Sequence, residues 1–360
     1  MRVRACVAAA TTVTLLGSVV LASSASAATG PELAAAIVDD ANLIHSVTLT
    51  EPAGADGRST AVVTDPVAGF PRTEGGAFAV LSTGDAGQLQ GAQSTHASTQ
   101  FSPTQARGGA FDITTLEVVL NVPVGVNCLL GFDFRFLSEE YPDFVGQGYN
   151  DAFIAQVGTD DWSIDGDTIN APNNFAFDAD GGVISINAGL FDATNAAVVE
   201  AAAEGTVFNG ATPLLTAAAP LESGLQSLFF TIFDHGDASY DSAVLIDNLR
   251  VGSVADVETD CTPGAQALPP LTPVTATAPT FVDELGTEED TFTIPAVEGV
   301  EYLVDGLLIA PGTYPGTGTV VVDAEATDGY VLEGESQFTF TFTDIRPVTA
   351  AAPTFVDEFG

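Results

Sequence analysis

The sequence predicts an all-β protein: a jelly-roll-like β-sandwich followed by small β-sandwich repeats. Three observations lead there. Short runs rich in Val, Ile, Thr and Phe are separated by Gly, Pro, Asn and Asp clusters, the pattern of sandwich strands and their turns. The chain is 46 % hydrophobic with 23 phenylalanines, so it can bury a large core despite its acidity. A thirteen-residue segment recurs 74 residues further on, as repeat architectures do.

Arg2 and Arg4 precede an uncharged apolar run over 5–21, and Ala25-Ser26-Ala27 follows. This charged, apolar, small-residue order predicts a secretory signal peptide, residues 1–27, cleaved after Ala27. The run is short of the roughly 20 residues a membrane span needs, and Thr, Ser and Gly dilute it. No later stretch approaches roughly 18 continuous apolar residues, so no membrane span is expected in the mature chain. Export to the outside follows.

All eight basic residues are arginines, and losing Arg2 and Arg4 leaves six against 48 acidic residues, a formal charge of −42. A field of that sign repels nucleic acid and anionic lipid, whose recognition needs clustered Lys or Arg. Cations are its natural counterpart.

The first domain is expected over 28–261. Pro31 at a first helical position, Glu32 in the first turn and the helix formers behind them predict a short helix over 31–40. Strands are expected over 46–50, 78–82, 116–122, 130–137, 152–157, 183–187, 227–233 and 243–251. Phe132, Phe134 and Phe136 alternate with Asp133 and Arg135, so one face of that strand is buried and the other is wet or paired. Residues 193–203 read either as a second helix or as a loop insert. Cys6 leaves with the signal peptide, and Cys128 and Cys261 remain as a disulfide or as two buried thiols. An oxidising compartment favours the bond, which would close a loop of 133 residues and contribute on the order of 4–5 kcal/mol in the chain-entropy model.

Residues 262–273 hold four prolines and read as a stiff, extended linker. Val274 to Gly286 then recurs as Val348 to Gly360 with eleven of thirteen positions matching. Short strands over 291–293, 301–304, 319–322 and 337–343, with turns at Asp305-Gly306 and Asp328-Gly329, make 274–347 one repeat. Residues 348–360 start a further one. The natural C-terminus, and an anchor with it, is expected beyond them.

Two segments concentrate the polar chemistry. Residues 138–153 carry Glu139, Glu140, Asp143, Asn150 and Asp151; residues 233–248 carry Asp234, Asp237, Asp241 and Asp247. Each begins where a phenylalanine-rich strand ends. Carboxylates this dense repel one another unless a cation or arginine neutralises them, and Arg135 and Arg250 are the only nearby arginines. Calcium, with its 6–8 oxygen ligands, suits the set, with Glu139, Glu140, Asp151, Asp237, Asp241 and Asn150 as first choices. Zinc suits it less, because His235 is the one histidine near. The bland alternative is a solvated acidic loop whose carboxylates cap turns. Tyr141, Phe144, Tyr149 and Tyr240 among these acids either stack on a sugar ring or close the end of the core. Trp162, in another acidic loop, is either a contact residue or core.

An enzyme is the weaker expectation. There is no Gly-x-Ser-x-Gly elbow, and His235 near Ser239 alone does not make a triad. A glycoside hydrolase would use a carboxylate pair, for which Glu140 and Asp241 are the candidates.

The segments Val80-Leu-Ser-Thr-Gly84, Phe136-Leu-Ser-Glu-Glu-Tyr-Pro-Asp-Phe-Val145, Tyr149-Asn-Asp-Ala-Phe153 and Asp234 to Asn248 resemble the bacterial choice-of-anchor L domain over roughly 31–252. That resemblance implies an exported domain attached to varied C-terminal anchors. The 74-residue unit, with Tyr302-Leu-Val-Asp-Gly306 and Asp328-Gly-Tyr-Val-Leu-Glu-Gly334, resembles the Ig-like wall-surface repeats of high-GC Gram-positive bacteria. The absence of lysine and the abundance of Ala, Gly, Thr and Val fit such a genome. Together they point to a secreted or cell-surface binding or adhesive module, calcium-stabilised and carried on a repeat stalk, with an extracellular glycan or surface protein as partner. A carbohydrate-active hydrolase and a purely structural surface-layer or stalk protein are the alternatives.

Overall fold

The computed structural model describes residues 27–72, 76–92, 99–102, 104–191, 196–269, 272–284, 289–327 and 329–343. The expected signal peptide, 1–27, apart from its last residue, and the second copy of the repeat start, 348–360, lie outside the described residues.

Helix α1 (Gly30–Ile37) opens the first domain, with the Glu32 carboxylate accepting the Thr29 N–H at 2.8 Å and closing its first turn. It stops before residue 40 because Val38 bridges to Leu249 and the Asp39 N–H donates to the Leu249 carbonyl. Leu33, Ala34 and Ile37 are buried in the core.

Two antiparallel sheets pack face to face. The five-stranded sheet is ordered β1 (Ile44–Thr50), β4 (Phe111–Val122), β12 (Gly224–Asp234), β6 (Ala152–Val157) and β9 (Ile184–Ser185). The seven-stranded sheet is ordered β14 (Ala265–Ala267), β11 (Leu215–Pro220), β5 (Cys128–Ser138), β13 (Ser242–Gly252), β3 (Phe78–Ser82) and β2 (Thr60–Val63), with β10 (Gly210–Ala211) also on β5. β7 (Ser163–Asp165) and β8 (Thr168–Asn170) form a separate hairpin.

Alternation along the strands builds the core between the sheets. Phe132 of β5 meets Phe230 of β12 edge-on at 5.1 Å, and Phe134 lies 5.4 Å from Phe153 of β6. The other face of β5 is paired. Asp133 lies 3.4 Å from Arg72 Nε and accepts from Asn248 Nδ2 at 2.9 Å, while Arg135 donates to the Ala202 carbonyl at 2.9 Å. Part of that face is covered by a second apolar cluster containing Phe70, Phe78, Leu137, Phe208 and Leu245, so the seven-stranded sheet is buried on both sides there. Helix α2 (Ala196–Ala202) decides the ambiguity over 193–203 in favour of a helix within that stretch.

Cys128 and Cys261 form a disulfide with Cα atoms 5.9 Å apart, tying the start of β5 to the residue after the short helix α3 (Val257–Asp260). The linker reading of 262–273 needs correcting at its middle. The proline-free residues 265–267 keep their N–H groups and pair with β11 as the edge strand of its sheet, Leu215 opposite Ala267, so they belong to the first domain.

The repeat unit has strands β15 (Thr272–Thr275), β16 (Thr280–Val282), β17 (Thr291–Ile294), β18 (Val300–Val304), β19 (Leu307–Ile309), β20 (Gly312–Pro315), β21 (Thr319–Ala326), β22 (Tyr330–Glu333) and β23 (Gln337–Thr341). They form sheets of two, three and four strands around Phe292, Tyr302, Val322 and Phe338. All four expected strand regions are present. Asp305 and Gly306 both have positive φ, 53° and 74°, and close the two-residue β18–β19 hairpin.

Candidate functional site

Six strand ends meet at one end of the sandwich: β3, β5 and β12 finish there and β4, β6 and β13 begin there. The register requires it, since Ser242 pairs with Ser138, Ala243 with Ser82, Phe233 with Ala152 and Asp234 with Phe111. The disulfide lies at the far end of β5, an 11-residue strand of about 36 Å.

Each acidic segment crosses between the sheets, 138–153 from β5 to β6 and 233–248 from β12 to β13, and the two touch here. The Ser242 hydroxyl donates to Asp151 Oδ2 at 2.7 Å and lies 3.0 Å from the Ser138 hydroxyl. The His235 N–H donates to Asp151 Oδ1 at 3.2 Å, and the Asn150 N–H to the His235 carbonyl at 2.9 Å. The Glu139 N–H donates to the Asp241 carbonyl at 3.1 Å.

Most of the expected acids are buried. Glu139 and Glu140 are 2 % exposed, Asp151 and Asp234 1 %, Asp241 6 % and Asn150 8 %. Asp241 accepts the Thr99 N–H on both oxygens, at 3.1 and 2.9 Å, and packs so closely on Gly84 that a methyl group there would overlap its carboxylate. Asp237 is half-buried and accepts the Ser239 N–H at 2.9 Å, and Asp143 is exposed on the loop beyond Tyr141. Asp247 does not join them. It lies five residues along β13 from Ser242, about 17 Å, where it accepts the Arg72 N–H at 2.5 Å and the Asn248 N–H at 2.6 Å.

Asp234 is the least satisfied of the group: neither carboxylate oxygen makes a hydrogen bond of normal geometry, although the Thr83 hydroxyl and the Asp151 carboxyl lie near enough to act on its ionisation. Glu140 Oε2 and His235 Nδ1 are also buried without a hydrogen bond. Among the described residues no arginine pairs with Glu140, Asp151, Asp234 or Asp241.

Burial therefore acts on the ionisation of Glu140, Asp151, Asp234 and Asp241. Burial first, then the charges of Asp151 and Asp237, push Glu140 up to about 10. Burial pushes Asp151 up to about 7 against the hydrogen bonds from Ser242 and His235, and Asp241 up to about 6 against the Thr99 N–H. Asp234 is pushed well above the usual carboxylate range, by burial and then by Asp151. Asp112, at the start of β4, is raised by burial although the Ser102 and Phe101 N–H groups bind its oxygens at 2.9 and 3.1 Å.

The sign of the pH dependence follows. These groups hold protons in the folded state that the unfolded chain releases near pH 4, so their contribution to stability is complete below that and is lost as pH rises through about 6 and about 7. In chelator the melting temperature is expected to fall between about pH 5 and pH 8. A rise over that interval in thermal scans would contradict the assignment.

Sequence reasoning missed Asp112, Thr83, Gly84, Thr99 and the serines 138 and 242. A signal existed for Asp112, because period-two alternation places it in line with Thr114 and Leu116 on the buried face of β4. A cavity of about 20 Å³, room for roughly one water, opens beside Asp241 between Ser82, Asp85, Thr99 and Glu139.

The aromatics divide. Tyr141 is core, 6.0 Å from Phe191, whereas Phe144 lies 5.2 Å from Tyr149 and 5.0 Å from Tyr240 in a half-buried trio on the two acidic loops. Trp162 is core, stacked on Phe233 at 4.5 Å with the Arg107 guanidinium 4.6 Å above it.

A family model described as the choice-of-anchor L domain matches residues 22–250, more than half of the chain. The chain belongs to the choice-of-anchor L family. No curated protein matches it. The match takes in both acidic segments and all six strand ends of the site. A choice-of-anchor L domain is a cell-surface-associated, extracellular module. Among the described residues no helix is long and apolar enough to cross a membrane, which says nothing of a β-barrel.

Proposed function

We propose that this protein is a secreted or cell-surface binding module, not an enzyme, in which calcium neutralises the acidic end of the choice-of-anchor L domain and shapes a ligand surface there. The observation that carries the reading is Asp234, 1 % exposed, neither oxygen in a hydrogen bond of normal geometry, in the company of further buried carboxylates and with no arginine paired to it among the described residues. Oxygen atoms so placed need protons or a cation.

The donors fit a hard dication. Asp234, Asp151, Glu140 and Asp241 would hold it, with Glu139, Asp237 and Asn150 beside them. Among the described residues no three His, Cys or acidic side chains gather as a ready-made metal shell. The carboxylates would therefore have to draw together on the ion, with neutral oxygens from Asn150 or backbone carbonyls completing the 6–8 ligands calcium takes. When bound, calcium supplies positive charge that lets the carboxylates ionise without repelling one another.

Glu140 and Asp241, the pair that hydrolysis would use, are buried, which favours binding over turnover. The rim trio Phe144, Tyr149 and Tyr240 offers half-exposed rings to a ligand such as a glycan. Glycan-array binding with and without chelator tests the reading. Retention of sugars that EDTA removes is expected, without release of reducing ends. Release of reducing ends makes the protein a hydrolase, and an array blank in both conditions removes glycans as its ligands.

A further inference from the structure

Residues 262–280 lead from the sandwich into the repeat unit and carry Thr262, Thr272, Thr275, Thr277 and Thr280 among prolines and alanines. All five threonines are exposed. Outward threonines elsewhere in the repeat bond one another, Thr293 to Thr313 and Thr319 to Thr341, each at 2.9 Å between hydroxyls. The hydroxyls of Thr272, Thr275, Thr277 and Thr280 make no such bond among the described residues, and that of Thr262 reaches only the Thr259 and Glu258 carbonyls at 3.4 and 3.5 Å. The backbone beneath is held while these side chains stay outside: Thr277 bonds the Tyr302 hydroxyl through its N–H and its carbonyl, at 2.9 and 2.7 Å.

Pro273 and Pro279 fix φ at their own positions, and the small neighbours Ala276 and Ala278 leave the hydroxyls open to a large reagent. Threonine mixed with proline is the composition of O-glycosylated stalks, and here the outward threonines sit at exposed positions of β15 and β16, on the connection between them and just after α3.

We propose that these threonines are acceptors for O-linked sugars. The Thr hydroxyl oxygen attacks the anomeric carbon of an activated glycosyl phosphate; the carbon–Oγ bond forms as the carbon–phosphate-oxygen bond breaks. The phosphate group leaves with the electron pair, and the hydroxyl proton passes to a base on the transferase. The sugars cover the peptide bonds of 276–279, outside the ladders of β15 and β16, and shield them from proteolysis.

Intact mass of the protein secreted by the organism that makes it, followed by peptide mapping, tests this. The expected result is a ladder of masses above the disulfide-bonded polypeptide, spaced by one sugar residue, removed by alkaline elimination and mapping to 262–280. A variant with all five threonines changed to alanine, secreted by the same organism, loses that ladder and is cut faster within 276–279 by an added protease. A single mass equal to the polypeptide, or sugars found only outside 262–280, would overturn the proposal.

Discussion

Replacing Cys128 and Cys261 by serine is expected to lower the free energy of unfolding of the choice-of-anchor L domain by about 4–5 kcal/mol. The bond closes a loop of 133 residues that contains β5, β6, β12 and β13, four strands that carry the acidic end. Without it the unfolded chain recovers the entropy of that long loop, while the folded sandwich keeps its phenylalanine core. Urea titration of the double variant against the parent measures the difference. Because the disulfide sits at the opposite end of β5, calcium binding should survive in the folded fraction. A variant as stable as the parent would mean that the sheets alone hold Cys261 in place.

The second large effect separates two roles for Asp234. In cation-free protein burial, and then the charge of Asp151, pushes its carboxyl toward the protonated form. Asparagine resembles that form, so Asp234→Asn should melt within about 0.5 kcal/mol of the parent in EDTA. In calcium the parent should gain roughly 2.7 kcal/mol at 100 times the dissociation constant, and the variant should gain little of it. Scanning calorimetry of both proteins in both conditions reads all four values. Equal destabilisation of the variant with and without calcium would leave Asp234 as a structural polar group only.

Much of this was legible in the sequence because alternation and punctuation are strong signals. Phe132, Phe134 and Phe136 fixed the inward face of β5, and the Asp305-Gly306 turn marked a hairpin. The meeting of the two acidic segments was also readable, since each follows a long core strand. Other features needed the third dimension. β11 was unread because Leu-Thr-Ala-Ala-Ala-Pro is alanine-rich, and alanine says little about strands until a neighbouring strand is known. Asp247 looked like part of the acidic motif because it is close in sequence, but strand rise carries it along the sheet to Arg72. Alternation along β4 marks Asp112 as buried, and its neighbours Ser102 and Asp234 then place it in the site. The edge pairing of Ala265–Ala267 depends on a partner some fifty residues back, which a proline-rich stretch does not advertise.

The central claim is that the acidic end exchanges protons for calcium. Calorimetric titration of cation-free protein with calcium near pH 7, repeated in buffers of different ionisation heat, measures affinity and proton release together. Glu140 is pushed up to about 10, so it carries a proton near pH 7 before the ion arrives and gives it up to the ion; Asp234 is pushed in the same direction by burial and by Asp151. The account predicts one saturable event that releases about one proton or more, with a matching rise in melting temperature. No saturable heat, and melting curves that coincide in calcium and in EDTA at matched ionic strength, would contradict it.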